Sequence, residues 1–299
     1  ATIGAGSGIV TGVTPGTTLI TYTLSTGCNT TKSILVNPLP VAYAVTGGGS
    51  FCAGSSGANV GLSYSNSGVE YQLKLAGSAI GSVVNGSNSG LDFGPQTSTG
   101  TYTVSANNPL TGCSSNMTGS VAVNVNPLPV VHNVTGGGNV CIGGAGVAVG
   151  MDGTDPGIKY QLYNGITPVG GLVTGTGLPL TFGVYTTPGT YTVVASNPTT
   201  GCTNLMGNTA IISVNGLPTA YPVTGGGTYC AGGLGQHIML ANSDMGVNYQ
   251  LMKGSTPIGG PVSSIGGLID FGAITTTGTY TVLATDPLTT CSGNMLGSA

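Results

Sequence analysis

Apolar and polar residues alternate along this chain in short segments, which glycine or proline separates. In "KYQLYNG", Tyr160 and Leu162 fall on one face and their immediate neighbours on the other, which is the two-residue period of a half-buried strand. No window sustains the 3.6-residue period of a helix, and the expected turns carry Gly, Pro, Asn and Asp. The pattern therefore predicts an all-β protein.

The same phrases recur every 89 residues. "VTGGG" followed by a cysteine begins at Val45, Val134 and Val223, and "GTYTV" begins at Gly100, Gly189 and Gly278. In each copy the second phrase opens a strand that has the same apolar face, predicted to point inward: Tyr102, Val104 and Ala106; Tyr191, Val193 and Ala195; Tyr280, Val282 and Ala284. A fixed period of this size indicates a tandem array of similar domains.

Each repeat holds about seven short strands, a density that is typical of an antiparallel β-sandwich of the immunoglobulin-like (Ig-like) type. "NPLP" or "NGLP" opens each repeat at Asn37, Asn126 and Asn215 and reads as a short joint between domains. We therefore expect the C-terminal part of a domain at 1–36, repeat 1 at 37–125, repeat 2 at 126–214 and repeat 3 at 215–299. Alignment on the period predicts that repeat 3 stops inside its last strand and that both chain ends fall inside domains.

The cysteines follow the same period. Each repeat has one pair 61 residues apart, and we predict one disulfide inside each domain: Cys52–Cys113, Cys141–Cys202 and Cys230–Cys291. Such loops would each contribute roughly 4 kcal/mol in the chain-entropy model and imply an oxidising compartment. Cys28 is left unpaired in this sequence. Zinc is the competing interpretation, but the chain has no C-x-x-C spacing and only two histidines.

Charge is nearly absent, with four lysines, no arginine and seven acidic residues among 299. No basic surface is present that could bind a nucleic-acid backbone, so we expect no nucleic-acid partner. No stretch approaches the roughly 20 apolar residues of a membrane-spanning helix. The first ten residues, "ATIGAGSGIV", show no targeting signal.

The combination "NPLP", "VTGGG", Cys-x-Gly, "YQL" and "GTYTV" ending in "TGC" resembles the Ig-like and PKD-like repeats of giant cell-surface adhesins of Bacteroidota. The resemblance covers 37–299, and 1–36 resembles the closing half of a bacterial Ig-like type 2 domain. It implies a surface adhesin or fibre exported by the type IX pathway, similar to gliding-motility adhesins. The family offers no catalytic residues to carry over.

Residues that could support chemistry do not recur with the period. His132 aligns with Tyr43 and Tyr221, and His237 aligns with Asn59 and Ala148, so no catalytic arrangement repeats. We interpret Asp155 and Asp244 as turn residues. A calcium ion bound near Asp152 and Asp155 is an alternative, but calcium usually takes six or more oxygen ligands and only these two carboxylates are near in sequence. The "GGG" run lacks the Lys and the helix of a phosphate loop. We predict no enzyme activity, cofactor or metal.

We therefore predict a non-enzymatic, structural or adhesive segment of a long extracellular fibre at the cell surface. The expected partners are neighbouring repeats, like chains in a filament, and surface glycans or other cells. Two alternatives are a subunit of a self-assembling extracellular filament and the accessory modules of a secreted hydrolase. The tyrosines that line inward faces favour core packing over stacking on sugars.

Overall fold

The computed structural model describes residues 2–3 and 8–299, so residues 1 and 4–7 of the predicted first domain lie outside the described residues. The chain divides into two compact units, Ala1–Leu128 and Pro129–Ala299. All regular elements of the described residues are β-strands, which confirms the predicted all-β class. The boundaries of the four predicted domains stay predictions.

The start of unit 1 contains two small antiparallel sheets. Their strands are β1 (Thr2–Ile3), β2 (Val10–Thr11), β3 (Gly16–Thr23) and β4 (Asn29–Val36). Strand β1 pairs with β2, and β3 pairs along its full length with β4. Leu19, Tyr22 and Leu35 on this second hairpin are exposed, each by more than half of its surface.

Repeat 1 completes unit 1 and consists of two sheets. Its strands are β5 (Val45–Gly47), β6 (Gly49–Cys52), β7 (Ala58–Leu62), β8 (Glu70–Leu75), β9 (Ser78–Ala79), β10 (Val84–Asn85), β11 (Leu91–Gln96), β12 (Gly100–Asn107), β13 (Ser114–Asn116) and β14 (Val121–Asn126). One sheet has the order β11-β7-β5 and the other β10-β8-β12-β14-β6, with β9 and β13 attached to β8 and β12.

Repeat 2 shows the same architecture within unit 2. Its strands are β15 (Val134–Gly136), β16 (Gly138–Cys141), β17 (Val147–Met151), β18 (Lys159–Asn164), β19 (Thr167–Thr174), β20 (Leu180–Tyr185), β21 (Gly189–Ser196), β22 (Thr203–Leu205) and β23 (Ala210–Asn215). The sheets have the orders β15-β17-β20 and β16-β23-β21-β18-β19, with β22 paired to β21. This division into two mostly antiparallel sheets is that of an Ig-like sandwich.

Repeat 3 has fewer strands. They are β24 (Val223–Gly225), β25 (Gln236–Leu240), β26 (Asn248–Lys253), β27 (Thr256–Ser263), β28 (Ile269–Ile274), β29 (Tyr280–Thr285) and β30 (Ser292–Asn294). One sheet has the order β24-β25-β28 and the other β27-β26-β29-β30. No strand of the described residues corresponds to β16 or β23 in this repeat.

Each repeat encloses its own hydrophobic core between the two sheets. The predicted inward faces are confirmed, since the nine residues that were predicted to point inward from the three "GTYTV" strands are at most 3% exposed. A second tyrosine in each core, Tyr71, Tyr160 or Tyr249, is fully buried at 0%. Burial of these large rings favours the core interpretation of the tyrosines.

Each buried tyrosine keeps a hydrogen bond, which removes the cost of burying its hydroxyl. The Tyr191 hydroxyl donates to the Thr187 carbonyl at 2.9 Å, four residues upstream, as in the tyrosine corner of Ig-like domains. The Tyr160 hydroxyl accepts from the Asp155 N–H at 2.8 Å. Burial raises the pKa of Tyr160 above its ordinary value, although this N–H acts in the opposite direction.

The glycine-rich phrase moves the chain from one sheet to the other. In repeat 2, β15 pairs antiparallel with β17 in the first sheet, whereas β16 pairs parallel with β23 in the second. A Cβ on Gly136 would lie 2.0 Å from the Ala148 carbonyl oxygen, and one on Gly137 would lie 2.6 Å from the Ile211 carbonyl oxygen. Both glycines also have positive φ, of 92° and 82°. Only glycine fits this crossing.

Candidate functional site at the joint between repeats 2 and 3

A disulfide joins two consecutive repeats in unit 2. Cys141, the last residue of β16 in repeat 2, is bonded to Cys291, which precedes β30 in repeat 3. The two Cα atoms are 5.5 Å apart, and the bond spans 150 residues of sequence. This cross-link is the feature of the described residues that most directly relates one domain to the next.

The predicted pairing within each repeat is therefore wrong. Cys141 is not bonded to Cys202, nor Cys230 to Cys291, because the bond runs from Cys141 to Cys291. Cys113 and Cys230 are free thiols, as is Cys28. Cys52 and Cys202 are both disulfide-bonded, but Cys52 has no bond to the free Cys113.

Strand direction explains why the equal spacing of 61 residues misled the prediction. Strand β16 runs parallel to β23, and β23 runs antiparallel to β21. The C-terminal ends of β16 and β21 therefore lie at opposite ends of one sheet. Cys141 is the last residue of β16, and Cys202 lies in the hairpin that follows β21. Strands of about six residues separate such ends by roughly 20 Å, whereas a disulfide needs Cα atoms within about 7 Å.

The end of the sheet that carries Cys141 is also where repeat 2 leads into repeat 3. Cys141 is the parallel partner of Asn215, the first residue of "NGLP". The next residue, Ile142, donates its N–H to the Asn215 carbonyl at 2.9 Å. The disulfide thus starts beside the last residue of β23, at the point where the connecting segment begins.

The connecting segment also approaches the other half of the disulfide. A Cβ on Gly293 would lie 3.7 Å from the Leu217 Cβ, so the leucine of "NGLP" packs over β30, two residues from Cys291. In repeat 2, Asn204 on β22 similarly donates to the Pro129 carbonyl at 2.8 Å. Each joint segment therefore lies against the short strand that follows the cysteine hairpin of its own repeat.

Cys291 sits in a tight hairpin whose hydrogen bonds come from the sequence "DPLTTC". The Asp286 N–H donates to the Cys291 carbonyl at 2.9 Å, and the Asp286 carboxylate accepts from the Leu288 N–H at 2.8 Å. Hydrogen bonds to the carboxylate, first from the Leu288 N–H and then from the Thr289 side chain, lower the pKa of Asp286 below its ordinary value. The hairpin holds Cys291 fully buried, at 0% exposure.

The position of this hairpin that has a left-handed backbone carries a different residue in repeats 2 and 3. Thr290 has a φ of 62°, where repeat 2 has Gly201 with a φ of 72°. The Thr290 N–H donates to the Asp286 carbonyl at 2.8 Å, and the Gly201 N–H donates to the Asn197 carbonyl at the same distance. A β-branched residue in the left-handed region is strained, so repeat 3 folds this hairpin at a conformational cost that repeat 2 avoids.

The two histidines lie apart, each next to a different aspartate. His132 Nε2 is 3.2 Å from an Asp155 carboxylate oxygen, and His237 Nδ1 is 2.8 Å from an Asp270 carboxylate oxygen. Hydrogen bonds from the Gly272 N–H and from His237 lower the pKa of Asp270. Neither pair includes a serine or cysteine nucleophile in the hydrogen bonds described.

The His132–Asp155 pair has equivalents that the sequence interpretation missed. The Tyr43 hydroxyl donates to Asn66 Oδ1 at 2.9 Å, and the Tyr221 hydroxyl donates to Asp244 Oδ1 at 2.8 Å. These contacts join the start of each repeat to the turn before the buried-tyrosine strand. The alignment at the period contained the signal, because in all three repeats a Tyr or His at the first position is matched by an Asn or Asp at the second.

Asp244 illustrates the electrostatics of this contact. Partial burial acts to raise its pKa, but hydrogen bonds from the Thr219 N–H at 2.8 Å and from Tyr221 outweigh it, so the pKa lies below the ordinary value. The side chain is thus held as a carboxylate. It is a structural acceptor at a turn, which extends the turn interpretation made from sequence.

The aspartates of the calcium alternative are engaged in hydrogen bonds. Asp152 accepts from the Asn133 N–H at 2.8 Å and from the Asn133 side-chain amide at 3.0 Å, and these bonds lower its pKa. Asp155 contacts His132. Within residues 2–3 and 8–299, no group of three or more His, Cys, Asp or Glu side chains could hold a metal ion.

No known protein-family model matches the chain, and no curated protein matches it by sequence. Among solved structures, it is similar to the ectodomain of mouse nectin-like molecule 4, with 11% identity over 84% of this chain and 96% of that one, and a TM-score of 0.35. It is also similar to Sidekick-1 immunoglobulin domains 1–5, with 15% identity over 95% of this chain and 66% of that one, at a TM-score of 0.27.

A bacterial structure shows a similar likeness. The fibronectin(III)-like modules of Clostridium thermocellum CbhA match with 15% identity over 58% of this chain and 95% of that one, at a TM-score of 0.30. No helix of the described residues has the length and apolar character needed to cross a bilayer. On the order and direction of its own strands, the chain is a tandem array of Ig-like β-sandwiches in which a disulfide crosses between repeats 2 and 3.

Proposed function

We propose that this chain is a non-enzymatic, structural and adhesive segment of a long extracellular adhesin or fibre at the cell surface. The observation that carries the proposal is the Cys141–Cys291 bond between consecutive repeats. Disulfides persist in oxidising surroundings outside the cytosol. A bond at the joint, where a linear array is otherwise held by a short segment, suits a protein that bears tension.

The position of the bond determines which residues would carry a load. Force applied at the two ends of unit 2 would pass through the disulfide, and the 150 residues of sequence that it spans would be shielded. Without the bond, force would pass through the interior of both sandwiches. The cross-link therefore limits how far the array can extend even when a domain unfolds.

A single-molecule pulling experiment tests this role. Handles attached at Val130, which is exposed, and at Ala299 of the full chain would load unit 2. Oxidised protein should show no extension from the shielded residues, whereas reduced protein should gain about 500 Å, since each extended residue spans roughly 3.3–3.6 Å. The C141S/C291S variant should behave as reduced protein under oxidising conditions.

C230S provides the matched control, because Cys230 is the equivalent of Cys141 in repeat 3 but is a free thiol. It should extend like the unaltered oxidised chain. If oxidised and reduced protein gave equal extensions, the bond would bear no load and the proposal would lose its basis.

Adhesion and the two alternatives need separate measurements. A glycan array probed with the chain would support an adhesive role if one class of sugar bound specifically. Electron micrographs of purified protein should show single beaded threads; a regular helical polymer would favour the filament-subunit alternative. A catalytic domain in the same reading frame would favour accessory modules of a secreted hydrolase.

A further inference from the structure

Strand β20 of repeat 2 has one unpaired side. It is the last strand in the sheet order β15-β17-β20, and in the part of the chain that the structure describes only β17 pairs with it. Thr181 and Val184 of this strand are exposed, Val184 at 60%. The second edge of β20 is therefore accessible to another molecule.

The register shows which backbone groups lie on that accessible edge. Val184 is opposite Ala148 of β17, but the Ala148 carbonyl accepts from the Gly137 N–H at 3.0 Å, on the far side of β17. In an antiparallel pair, opposite residues either exchange both of their hydrogen bonds or exchange none. The N–H and the carbonyl of Val184 therefore point away from β17, toward the unpaired side.

Repeat 1 supports this geometry. Its residue at the position of Val184 is Pro95 of β11, which lies opposite Asn59. The Asn59 carbonyl accepts from the Gly48 N–H at 2.8 Å, again on the far side of the neighbouring strand. Proline is tolerated in an edge strand where its missing N–H would face solvent. The sandwich therefore forms without an N–H at this position.

The equivalent edges of repeats 1 and 3 carry residues that oppose pairing with another sheet, whereas β20 does not. Strand β11 has Asp92 and Pro95, and β28 has Asp270, whose carboxylate lies 2.8 Å from His237. Charges and prolines on edge strands are common devices against edge-to-edge association. Strand β20 has Thr181 at the position of the two aspartates and contains no proline.

We propose that the unpaired edge of β20 is a self-association surface, on which β20 of a second copy of this chain pairs antiparallel across a two-fold axis. The edge offers backbone donors and acceptors in strand geometry, so its partner is another strand. A two-fold axis brings each edge against its own copy. The contact lies on repeat 2 alone and does not rest on the load-bearing function of the disulfide.

The charge pattern selects a second copy of β20 as the partner. Self-pairing of β11 or β28 would bring Asp92 or Asp270 close to the same residue of the other copy, and like charges on paired strands repel. The uncharged Thr181 avoids this repulsion in β20. The chain as a whole adds little, since its formal net charge is −3 over 299 residues.

The contact would join two three-stranded sheets into one continuous sheet, in which β15-β17-β20 of one copy is followed by the same strands of the other in reverse order. A two-fold contact uses the same surface on both copies and is complete with two of them. It therefore ties chains together in pairs and does not by itself propagate a filament.

Sedimentation velocity of the full chain, from micromolar to millimolar concentration, tests the proposal. The unaltered chain should shift from monomer to dimer as its concentration rises. Val184→Pro, which copies repeat 1, should weaken dimerisation by at least about tenfold, because the two-fold axis removes two main-chain hydrogen bonds at once. Ala273→Pro, at the same position of β28, is the matched control and should leave dimerisation unchanged.

Thr181→Asp provides an independent test that copies repeats 1 and 3. It should also weaken dimerisation, and added salt should restore part of the loss because salt screens exposed charges. Val184→Ala keeps the N–H and should still dimerise, which separates strand pairing from simple contact of apolar side chains. Urea unfolding of each variant shows whether the fold is retained.

Hydrogen exchange adds a local measurement, since the Val184 N–H should become protected as the concentration of the chain rises. A chain that stays monomeric at every concentration would overturn the proposal. Equal weakening by Val184→Pro and Ala273→Pro, or growth beyond the dimer without protection of Val184, would overturn it as well.

Discussion

Repeats 2 and 3 contain nearly the same segment, "VTGGGNVC" and "VTGGGTYC", but it forms two strands only in repeat 2. In repeat 2, Gly138–Cys141 is a strand that pairs with β23. In repeat 3, Gly227–Cys230 has no regular structure. The comparison shows that this segment becomes a strand through its pairing partner, and that its local sequence is insufficient.

The cysteines at the ends of these two segments also differ, in whether they form a disulfide. Cys141 is bonded and Cys230 is free, although both stand at the same position of the repeat. Substitutions that make one repeat more like another, or that remove a difference between repeats, test what this comparison teaches.

Removing the disulfide should have the largest effect. C141S/C291S should lower the free energy of unfolding of unit 2 by about 5 kcal/mol in the chain-entropy model, because the loop spans 150 residues. C230S should change it by less than about 0.5 kcal/mol, as expected for an exposed side chain. Urea denaturation under oxidising conditions measures both, and equal effects would contradict the assigned pairing.

Disrupting β23 of repeat 2 should leave Gly138–Cys141 without regular structure, which is the state of Gly227–Cys230 in repeat 3. Ile212→Asp places an unpaired charge in the core and should cost about 3–5 kcal/mol. Ile211→Asp, on the outward and exposed face of the same strand, should cost less than about 0.5 kcal/mol. Urea unfolding measures the stabilities. In hydrogen exchange, Val140 should lose its protection only in the first variant; unchanged protection there would argue against partner-dependent strand formation.

Exchanging the left-handed residues of the cysteine hairpins should remove a difference between the repeats. Thr290→Gly should stabilise unit 2 by about 1 kcal/mol, because it relieves a β-branched residue at a φ of 62°. Gly201→Thr should destabilise it by a similar amount. Thermal or urea unfolding would measure both shifts, and a loss of stability in Thr290→Gly would refute the strain.

The smallest expected effect concerns the contact between Tyr221 and Asp244. Because hydrogen bonds lower the folded-state pKa of Asp244, its stabilisation is present above the unfolded pKa of about 3.9 and is lost as the pH falls through the lower folded value. Asp244→Asn should therefore reduce the loss of stability between pH 5 and pH 2. The difference should stay below about 1 kcal/mol, since solvent screens this partly exposed group.

Urea unfolding at several pH values would measure that difference. Repeat 1 provides the natural precedent, since Asn66 accepts the same hydrogen bond from Tyr43 without carrying a charge. If Asp244→Asn were as acid-sensitive as the unaltered chain, the hydrogen-bonded carboxylate would not be the origin of the effect.

Alternation of apolar residues and the 89-residue period were sufficient to predict the β-class, the tandem organisation and the buried faces such as Tyr191, Val193 and Ala195. These features depend on local periodicity, which a sequence displays directly. The glycines of "VTGGG" could be predicted to mark an unusual backbone. That they carry the chain from one sheet to the other could not, because this depends on which strands pair.

The disulfide partners were decided by tertiary structure alone. Spacing along the chain records how many residues separate two cysteines, but a bond requires their Cα atoms to be within about 7 Å. The directions of β16 and β21 place Cys141 and Cys202 at opposite ends of one sheet, and the joint brings Cys291 to Cys141 instead. The sequence by itself determined the repeated domain; the pairing and direction of its strands determined which domains are covalently joined.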